Sequence, residues 1–274
     1  MKKILVLHTR YQSFGGEDQS VENEIALLEK FYDVKTLYLS NKIEKKFNDI
    51  ATLIFNKNLN FLKELQQSIS EFSPDFIYIH NTWFKASVGL FKLLQKYQIP
   101  VYVKLHNFRY YCTKSYLLSN HLNGSETCNA CGISSKNKNR FNKYFEDSYL
   151  KSFIVNRFGK KYYKVLNQRW INIIVLTEFH KKFLTDQGIN SEKITVIPNY
   201  LPKNDFKKNN NKNDFFIYAG RISSEKGVEK LIESFENSNL QNIKLKIVGV
   251  GPQLPFLKNK YLEKNNIEFL GFLE

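Results

Sequence analysis

Three features that would each define a class of protein are scarce or absent in this 274-residue sequence. Its three cysteines are too few and too clustered for a disulfide framework, which indicates a reducing compartment. No window approaches about twenty consecutive apolar residues, and a charge follows the short apolar run at the start of the chain. Neither a signal peptide nor a transmembrane helix is therefore expected, and the sequence predicts a soluble, cytoplasmic protein.

The sequence also contains no D-x-D pair. An enzyme that holds a nucleotide diphosphate through a carboxylate-bound divalent metal normally needs such a pair of carboxylates. Fixed cations could neutralise a diphosphate instead. The residue inventory therefore favours metal-independent chemistry, and no cofactor is predicted.

Acidic residues are few relative to basic ones, because 41 Lys and Arg face 26 Asp and Glu, for a net charge of +15. Such an excess attracts anions, which include nucleic acids, anionic lipid head groups and phosphorylated small molecules. No nucleic-acid-binding module or basic helix face is recognisable, so a nucleic-acid partner is not predicted. An anionic membrane surface and phosphorylated small molecules remain as candidate partners.

Short β-branched or aromatic runs alternate with longer amphipathic stretches over the first two hundred residues or so. Apolar strands separated by helices are typical of a parallel sheet that is covered on both faces. Residues 108–145 are irregular and polar, and a loop of that length is usually functional or mobile. The predicted strands are 3–9, 34–40, 75–81, 101–107, 171–177 and 193–201, and long helices are predicted at 44–72, 84–97 and 146–168.

The composition changes at 203–214, where "KNDFKKNNNKND" is typical of a linker. Three further strands and two helices, at 225–237 and 253–264, then form one βαβαβ half of a nucleotide-binding fold. A half-sheet of this size leaves an open edge, so we expect that the sequence ends inside its second domain. The predicted domains are 1–202 and a partial 214–274, joined by a linker at 203–213.

Two candidate sites lie in the first predicted domain. Gly15 and Gly16 separate the first strand from the first helix, where backbone amides and the helix dipole favour phosphate. A tight turn without a ligand is the alternative. His106 ends a strand at the carboxyl edge of the sheet, beside Asn107 and Arg109, where open α/β folds bind ligands. A purely structural histidine is the alternative there.

The second predicted domain places Arg221 and Lys226 in the loop after its first strand. A guanidinium and an ammonium beside a helix N-terminus suit a diphosphate, and a solvated basic loop is the alternative. Gly249 and Gly251 follow the next strand and permit close backbone approach, although a plain turn explains them almost as well.

The cysteines suggest a further hypothesis. Cys112, Cys128 and Cys131, together with His106 or His121, have the composition of a Cys3His zinc site. A single C-x-x-C does not by itself define a zinc site, and thiols clustered in a substrate loop are the favoured interpretation.

Taken together, these motifs resemble a known family. The segments "FGGEDQSVENEI", "KLHNFRYYC", "CNAC", "VIPNY", "YAGRISSEKGVEKLIESF" and "IVGVGP" occur in order at suitable spacing. The chain resembles the GT-B-fold retaining glycosyltransferases of family 4, also called glycosyl transferases group 1. Such enzymes move a sugar from a nucleotide-diphosphate-sugar donor to a glycan, lipid or other acceptor. The cysteine-containing segments point to a subgroup common among envelope-polysaccharide enzymes, at the inner face of the membrane.

The resemblance implies a role for each matching residue. Gly16 would lie near the donor phosphates and the acceptor, and His106 would contact the transferred sugar and stabilise the transition state. Arg221 and Lys226 would bind the donor diphosphate. The two domains would close on the donor, with a hinge near 198–200. The family's paired glutamates are missing from this sequence, which is consistent with C-terminal truncation and puts the activity of the chain as written in doubt.

Three hypotheses follow. The first is a retaining, metal-independent glycosyltransferase of envelope or capsule polysaccharide biosynthesis. The second is a catalytically incomplete fragment that binds a nucleotide-sugar or a membrane surface. The third is a non-transferring enzyme of the same fold, such as a nucleotide-sugar epimerase, which the "EKG" and "CNAC" segments disfavour.

Overall fold

A computed structural model describes residues 1–11, 15–42, 44, 46–108, 148–202, 214–240 and 242–273. The zinc hypothesis for Cys112, Cys128 and Cys131 and the predicted linker at 203–213 lie outside the described residues. The chain forms two compact units, Met1–Lys203 and Asn204–Glu274. The domain boundaries given above stay a prediction.

The first unit is built on a six-stranded sheet in which every described pair of neighbours is parallel. The spatial order is β2-β1-β3-β4-β5-β6, so the chain reverses its direction of progress between β1 and β3. Crevices that bind ligands in open α/β sheets lie at such a switch point, beyond the carboxyl ends of the strands. The strands are β1 (Lys3–Arg10), β2 (Asp33–Ser40), β3 (Phe76–Ile79), β4 (Val101–Leu105), β5 (Ile171–Val175) and β6 (Ile194–Val196).

Alternate residues of the central strands enter two separate cores, because successive side chains of a strand point to opposite faces. Leu5 and Leu7 of β1 join the larger core, whereas Ile4 and Val6 join a smaller one beneath the first helix. Each fully buried Leu or Ile stabilises the fold by about 1.5–3 kcal/mol. The helices are α1 (Gly16–Leu28), α2 (Lys46–Phe55), α3 (Leu59–Phe72), α4 (Leu90–Leu94), α5 (Tyr149–Leu166) and α6 (Glu178–Asp186).

The single helix predicted over 44–72 is wrong, since two helices occupy this stretch. Asn56 has a φ of 53°, a left-handed conformation that asparagine tolerates and that interrupts a helix. Asn58 then caps α3, because its side-chain oxygen accepts a hydrogen bond from the Phe61 amide at 3.2 Å.

The helix predicted over 84–97 is confined to α4. Ser87 has a φ of 61°, and its hydroxyl donates to the Asn56 carbonyl at 2.9 Å and accepts from the Gly89 amide. These bonds from a side chain to the backbone replace the helical pattern before Leu90. The strand predicted over 193–201 is likewise shorter, because a 3₁₀ turn precedes β6 and Pro198 follows it closely without an amide to donate.

The second unit contains a three-stranded parallel sheet in the order β7-β8-β9. Its core is formed by Ile222, Val228, Ile232, Leu245 and Ile247 with their neighbours. Two parallel sheets, each with its own core, confirm the predicted α/β fold class. The elements are β7 (Phe215–Ala219), α7 (Val228–Glu236), β8 (Lys244–Val248), α8 (Leu254–Lys260) and β9 (Ile267–Gly271).

Candidate active site

Two histidines meet at the carboxyl edge of the first sheet. His80 directly follows β3 and His106 directly follows β4, and these strands are parallel neighbours. Nδ1 of His80 and Nε2 of His106 are 3.0 Å apart, and the two rings stack at 27° with centroids 5.3 Å apart. The predicted residue His106 therefore lies where the sequence placed it, paired with a histidine that the motifs did not single out.

Both rings of this histidine pair are neutral near pH 7. Burial lowers the pKa of His106 to about 3, and the nearby Lys104 ammonium contributes in the same direction. Burial also holds the pKa of His80 well below its ordinary value. Neutral imidazoles offer hydrogen bonds and a dipole, rather than a positive charge, to whatever lies beside them.

A third histidine anchors the loop before α1. Nε2 of His8 lies 2.8 Å from Oδ1 of Asp18, and both side chains are about 1% exposed. Oδ2 of Asp18 accepts a hydrogen bond from the Gly15 amide at 3.0 Å, and its Oδ1 accepts a longer one from the Tyr11 amide. Burial lowers the pKa of His8, although the hydrogen bond that its ring donates to Asp18 opposes that shift. Asp18 thus ties the glycine pair to the end of β1.

Backbone strain does not explain Gly15, and crowding does not explain Gly16. Gly15 has an extended φ of −140°, which any residue can adopt, and a Cβ added to Gly16 would meet no atom within 4 Å. The start of α1 is therefore uncovered at Gly16 among the described residues. This leaves room for a ligand, although the phosphate contact stays a prediction.

A buried ion pair lies next to the histidines. The Lys104 ammonium, which is fully buried, lies 2.8 Å from Oε2 of Glu24, and the Tyr78 hydroxyl donates to Oε1 of the same carboxylate at 2.9 Å. Lys104, Glu24 and Tyr78 come from β4, α1 and β3, respectively. The ion pair therefore ties the helix that carries the glycine loop to the two strands that carry His80 and His106.

A cavity opens at this edge, with polar and aromatic walls. Oε2 of Glu17 accepts a hydrogen bond from the Tyr11 hydroxyl at 2.8 Å and a longer one, at 3.4 Å, from the Asn107 amide group. On another side, the rings of Trp83 and Phe158 pack edge to face at 4.8 Å. The lining comprises Glu17, His80, Asn81, Thr82, Trp83, Lys104, Leu105, His106, Asn107, Phe158 and Tyr162.

The second unit presents its predicted cations in one loop. Arg221 and Lys226 are both exposed and lie between β7 and α7. The Tyr218 hydroxyl donates to the Arg221 carbonyl at 3.0 Å, and Lys226 closes a 3₁₀ turn over Ser224–Lys226. Gly227, with a φ of 68°, then begins α7. The two cations therefore follow a strand and precede a helix N-terminus, as predicted.

The part of the chain that contains this loop also matches a known family. Residues 202–274 match the family model described as glycosyl transferases group 1. The C-terminal unit carries the group 1 signature. The resemblance inferred from the motifs is confirmed over these residues.

Solved structures extend the comparison to the whole chain. A sucrose-phosphate synthase from Thermosynechococcus elongatus is 14% identical, with a TM-score of 0.62 over 100% of this chain and 71% of that one. HepE from Anabaena, in a complex with UDP, is 16% identical, with a TM-score of 0.55 over 100% of this chain and 70% of that one. No curated protein matches this chain in sequence. At these identities the likeness shows the fold alone, and it confirms the predicted GT-B architecture.

The glycines of the group 1 segment serve the packing of its own loops. A Cβ at Gly249 would lie 1.9 Å from the Gly220 carbonyl oxygen, and one at Gly251 would lie 2.1 Å from the Ile222 carbonyl oxygen. Gly249 also has a φ of 133°, which favours glycine. The close approach predicted for these glycines is thus made to the neighbouring loop, while a role in a donor site stays a prediction.

Several residues around His106 were not singled out by the motifs, namely His8, Glu17, Asp18, Glu24, His80 and Lys104. A signal for some of them was present in the sequence. His-Asn follows both of the strands "FIYI" and "VYVKL", at 80–81 and 106–107, so equivalent positions of two strands carry the same pair. Lys104 is also a charge within an apolar strand. No group of three or more His, Cys, Asp or Glu side chains in the described part of the chain is arranged to hold a metal ion.

Proposed function

We propose that this protein transfers a sugar from a nucleotide-diphosphate-sugar donor to a glycan or lipid-linked acceptor, with retention of configuration. We further propose that it does so without a metal ion, in envelope or capsule polysaccharide biosynthesis. The observation that carries the proposal is the match of residues 202–274 to glycosyl transferases group 1, which includes the loop with Arg221 and Lys226.

The basic loop of the second unit is the proposed diphosphate site. When the glycosidic bond to the donor breaks, negative charge accumulates on the departing diphosphate. The guanidinium of Arg221 and the ammonium of Lys226 would stabilise that charge, assisted by the N-terminus of α7. Two fixed cations can supply the neutralisation that a carboxylate-bound metal supplies in other enzymes. HepE, of the same fold, was crystallised with UDP, so UDP-glucose is the first donor to test.

The carboxyl edge of the first sheet that carries His80 and His106, here called the histidine edge, is the proposed sugar site. We assign His106 to contact with the transferred sugar, where a neutral imidazole suits an uncharged hydroxylated ring. We assign the loop of Gly15 and Gly16 to contact with the donor phosphates. The loop that contains Gly249 and Gly251 is a further candidate for the donor site. The Glu17 carboxylate and the Trp83 ring would suit an acceptor that presents hydroxyl groups and an apolar sugar face.

The decisive experiment measures UDP release from UDP-glucose, with and without EDTA. The Arg221→Ala, Lys226→Ala double variant should lose about a thousandfold in turnover, because both charges that stabilise the departing diphosphate are removed. The Lys230→Ala, Lys258→Ala variant is the matched control, since it removes two exposed charges from the same unit. Unchanged turnover in the Arg221, Lys226 variant would refute the diphosphate role, and loss of activity with EDTA would refute metal independence.

The same preparation tests the second hypothesis, a nucleotide-sugar-binding fragment that is catalytically incomplete. Calorimetric binding of UDP-glucose without any UDP release would favour that fragment over a transferase. Epimerised free donor among the products would instead favour the epimerase hypothesis.

A specific observation supports attachment to a membrane surface. No described helix is long and apolar enough to cross a membrane. Helix α2, however, exposes Phe47 (84%), Ile50 (55%) and Phe55 (68%), whereas Thr52 is the buried residue among its described side chains. An apolar helix face turned outwards is typical of a segment that lies on a bilayer.

Positive charge accompanies this apolar face. Lys57 lies two residues after the end of α2, and Arg157 and Lys161 lie on α5, which contacts α2. Burial lowers the pKa of Lys161, and the nearby charges of Arg157, Lys92 and Lys57 lower it further. We propose that this surface binds an anionic bilayer at its cytoplasmic face, since each Lys or Arg contributes about 1 kcal/mol near such lipids.

Co-sedimentation with vesicles tests the membrane proposal. The protein should bind phosphatidylcholine vesicles that contain phosphatidylglycerol and not pure phosphatidylcholine vesicles. The Phe47→Ser, Ile50→Ser variant should bind several-fold more weakly, whereas Leu262→Ser, which alters an exposed apolar residue of the second unit, should bind normally. Binding that ignores the anionic lipid or the α2 substitutions would contradict the proposal.

A further inference from the structure

We propose that His80 is a positioning residue that donates its Nδ1–H to Nε2 of His106. This bond would fix His106 in the tautomer that carries its proton on Nδ1. The inference rests on the proposed function, in which His106 contacts the transferred sugar. It adds a second residue to that role and specifies which nitrogen of His106 is left to act.

The distance between the two rings indicates a hydrogen bond between them. Nδ1 of His80 and Nε2 of His106 are 3.0 Å apart, which is the length of an N–H···N hydrogen bond. Both rings are neutral, and a hydrogen bond at this distance needs one donor and one acceptor, so exactly one of these two nitrogens carries a proton. Either His80 donates to His106 or His106 donates to His80, and the remaining nitrogens decide between these arrangements.

The other nitrogen of His80 selects the donor. Nε2 of His80 is buried and has no hydrogen-bond partner among the described residues. If His106 were the donor, the proton of neutral His80 would have to sit on this Nε2 and form a buried, unpaired N–H. Orphaned buried N–H groups are rarer than unpaired acceptors, since the donor loses its bond to water. The bare nitrogen is therefore Nε2, and the proton of His80 lies on Nδ1.

The neighbouring His8 does not supply a hydrogen-bond partner for Nε2 of His80. The His8 ring lies edge to face with His80, with centroids 6.1 Å apart, but Nδ1 of His8 is also buried without a partner among the described residues. His8 uses its Nε2 on Asp18. Nε2 of His80 and Nδ1 of His8 do not form a hydrogen bond with each other. We infer that neither nitrogen carries a proton.

The surroundings hold His80 in a single orientation. Its side chain is only 3% exposed, its ring lies 4.4 Å from the ring of Tyr78, and its backbone amide donates to the Leu7 carbonyl. A donor that is fixed before substrate arrives costs no reorganisation during the reaction. His106 then keeps Nδ1–H as the hydrogen-bond donor that it can offer to a sugar oxygen, and its Nε2 is occupied.

Nitrogen-15 NMR of the full chain labelled on histidine tests the tautomer directly. In the wild type near neutral pH, Nε2 of His106 should resonate as an unprotonated nitrogen and Nδ1 as a protonated one, with His80 protonated on Nδ1 as well. His80→Leu should move His106 towards the Nε2–H form, and His80→Asn should keep the wild-type pattern because its amide can donate from a similar position. A protonated Nε2 on His106 in the wild type overturns the inference.

Kinetics supply the second readout. His80→Leu should lower kcat for UDP release from UDP-glucose about tenfold with little change in KM, and His80→Asn should restore most of it. His180→Asn, which changes another buried histidine of the same unit, should alter neither kcat nor the His106 tautomer. Equal loss in His80→Leu and His80→Asn would contradict the positioning role. Unchanged turnover in His106→Ala would instead refute the role in sugar contact that the proposed function assigns to His106, whatever the tautomer is.

Discussion

The two units place very different chemistry at the carboxyl ends of their strands. In the first unit, β3 is followed by the buried His80 and β4 by the half-buried His106, and both neutral rings lie next to the buried ion pair of Lys104 and Glu24. In the second unit, the first strand ends in an exposed loop with Arg221 and Lys226. Burial removes charge from titratable rings, whereas exposure preserves it, so one edge offers hydrogen bonds and the other offers cations.

The buried ion pair should give the largest effect on stability. Lys104→Met leaves Glu24 buried beside Tyr78 without its cation, so the free energy of unfolding should fall by about 3–5 kcal/mol. Urea denaturation measures this loss. Lys182→Ala removes the cation of an exposed pair with Asp186 and should cost at most about 1 kcal/mol. Equal losses would show that burial does not distinguish the two pairs.

Substitutions at Gly249 and Gly16 distinguish a glycine required for packing from one proposed to bind a ligand. Gly249→Ala should destabilise the protein by about 2–3 kcal/mol, because the added Cβ meets a backbone carbonyl and φ is positive. Gly16→Ala should leave the free energy of unfolding unchanged or slightly raised, since its Cβ meets open space, and yet lower turnover of UDP-glucose. Full activity in Gly16→Ala would remove the phosphate role assigned to the first loop.

The neutral histidine edge predicts how stability depends on pH. His106 has a pKa of about 3 in the folded state against an ordinary 6.5, so the unfolded chain binds more protons between these values. Its contribution is therefore complete above pH 6.5 and is lost as the pH falls towards 3. Between pH 7 and pH 5 the loss is about 2 kcal/mol.

Chemical denaturation of the wild type and of His106→Asn at several pH values measures this contribution. The variant should show a flatter dependence, although His8, His80 and His180 still contribute in the same direction because their pKa values are also lowered. Identical slopes in the two proteins would mean that His106 is not buried in its neutral form.

The smallest effect is expected from Arg221→Lys, which tests how the basic loop of the second unit binds the diphosphate. Arg221→Lys keeps the charge but removes the planar fork that binds two phosphate oxygens at once, so turnover of UDP-glucose should fall about tenfold. The free energy of unfolding should not change, since the side chain is exposed. Activity equal to the wild type would mean that Arg221 acts only as a point charge.

Much of the architecture was predictable because it depends on local patterns. The alternation of apolar strands and amphipathic helices predicted two parallel sheets, and the positions of His106, Arg221 and Lys226 at strand ends followed from it. The breaks at Asn56 and Ser87 were not predicted, because the apolar spacing of a helix continues through them. They depend on contacts between these segments that are distant in the sequence, such as that from Ser87 to the Asn56 carbonyl.

The sequence by itself determined the fold class, the group 1 signature of residues 202–274 and the identity of the exposed cations, because all three are encoded in contiguous motifs. Only the tertiary structure decided what surrounds His106. His80, Lys104 and Glu24 lie 26, 2 and 82 positions away along the chain, and parallel pairing of strands brings them to one edge. Pairing across a sheet depends on residues distant in the sequence, and it places the half-buried His106 in a neutral, hydrogen-bonded pair with the buried His80.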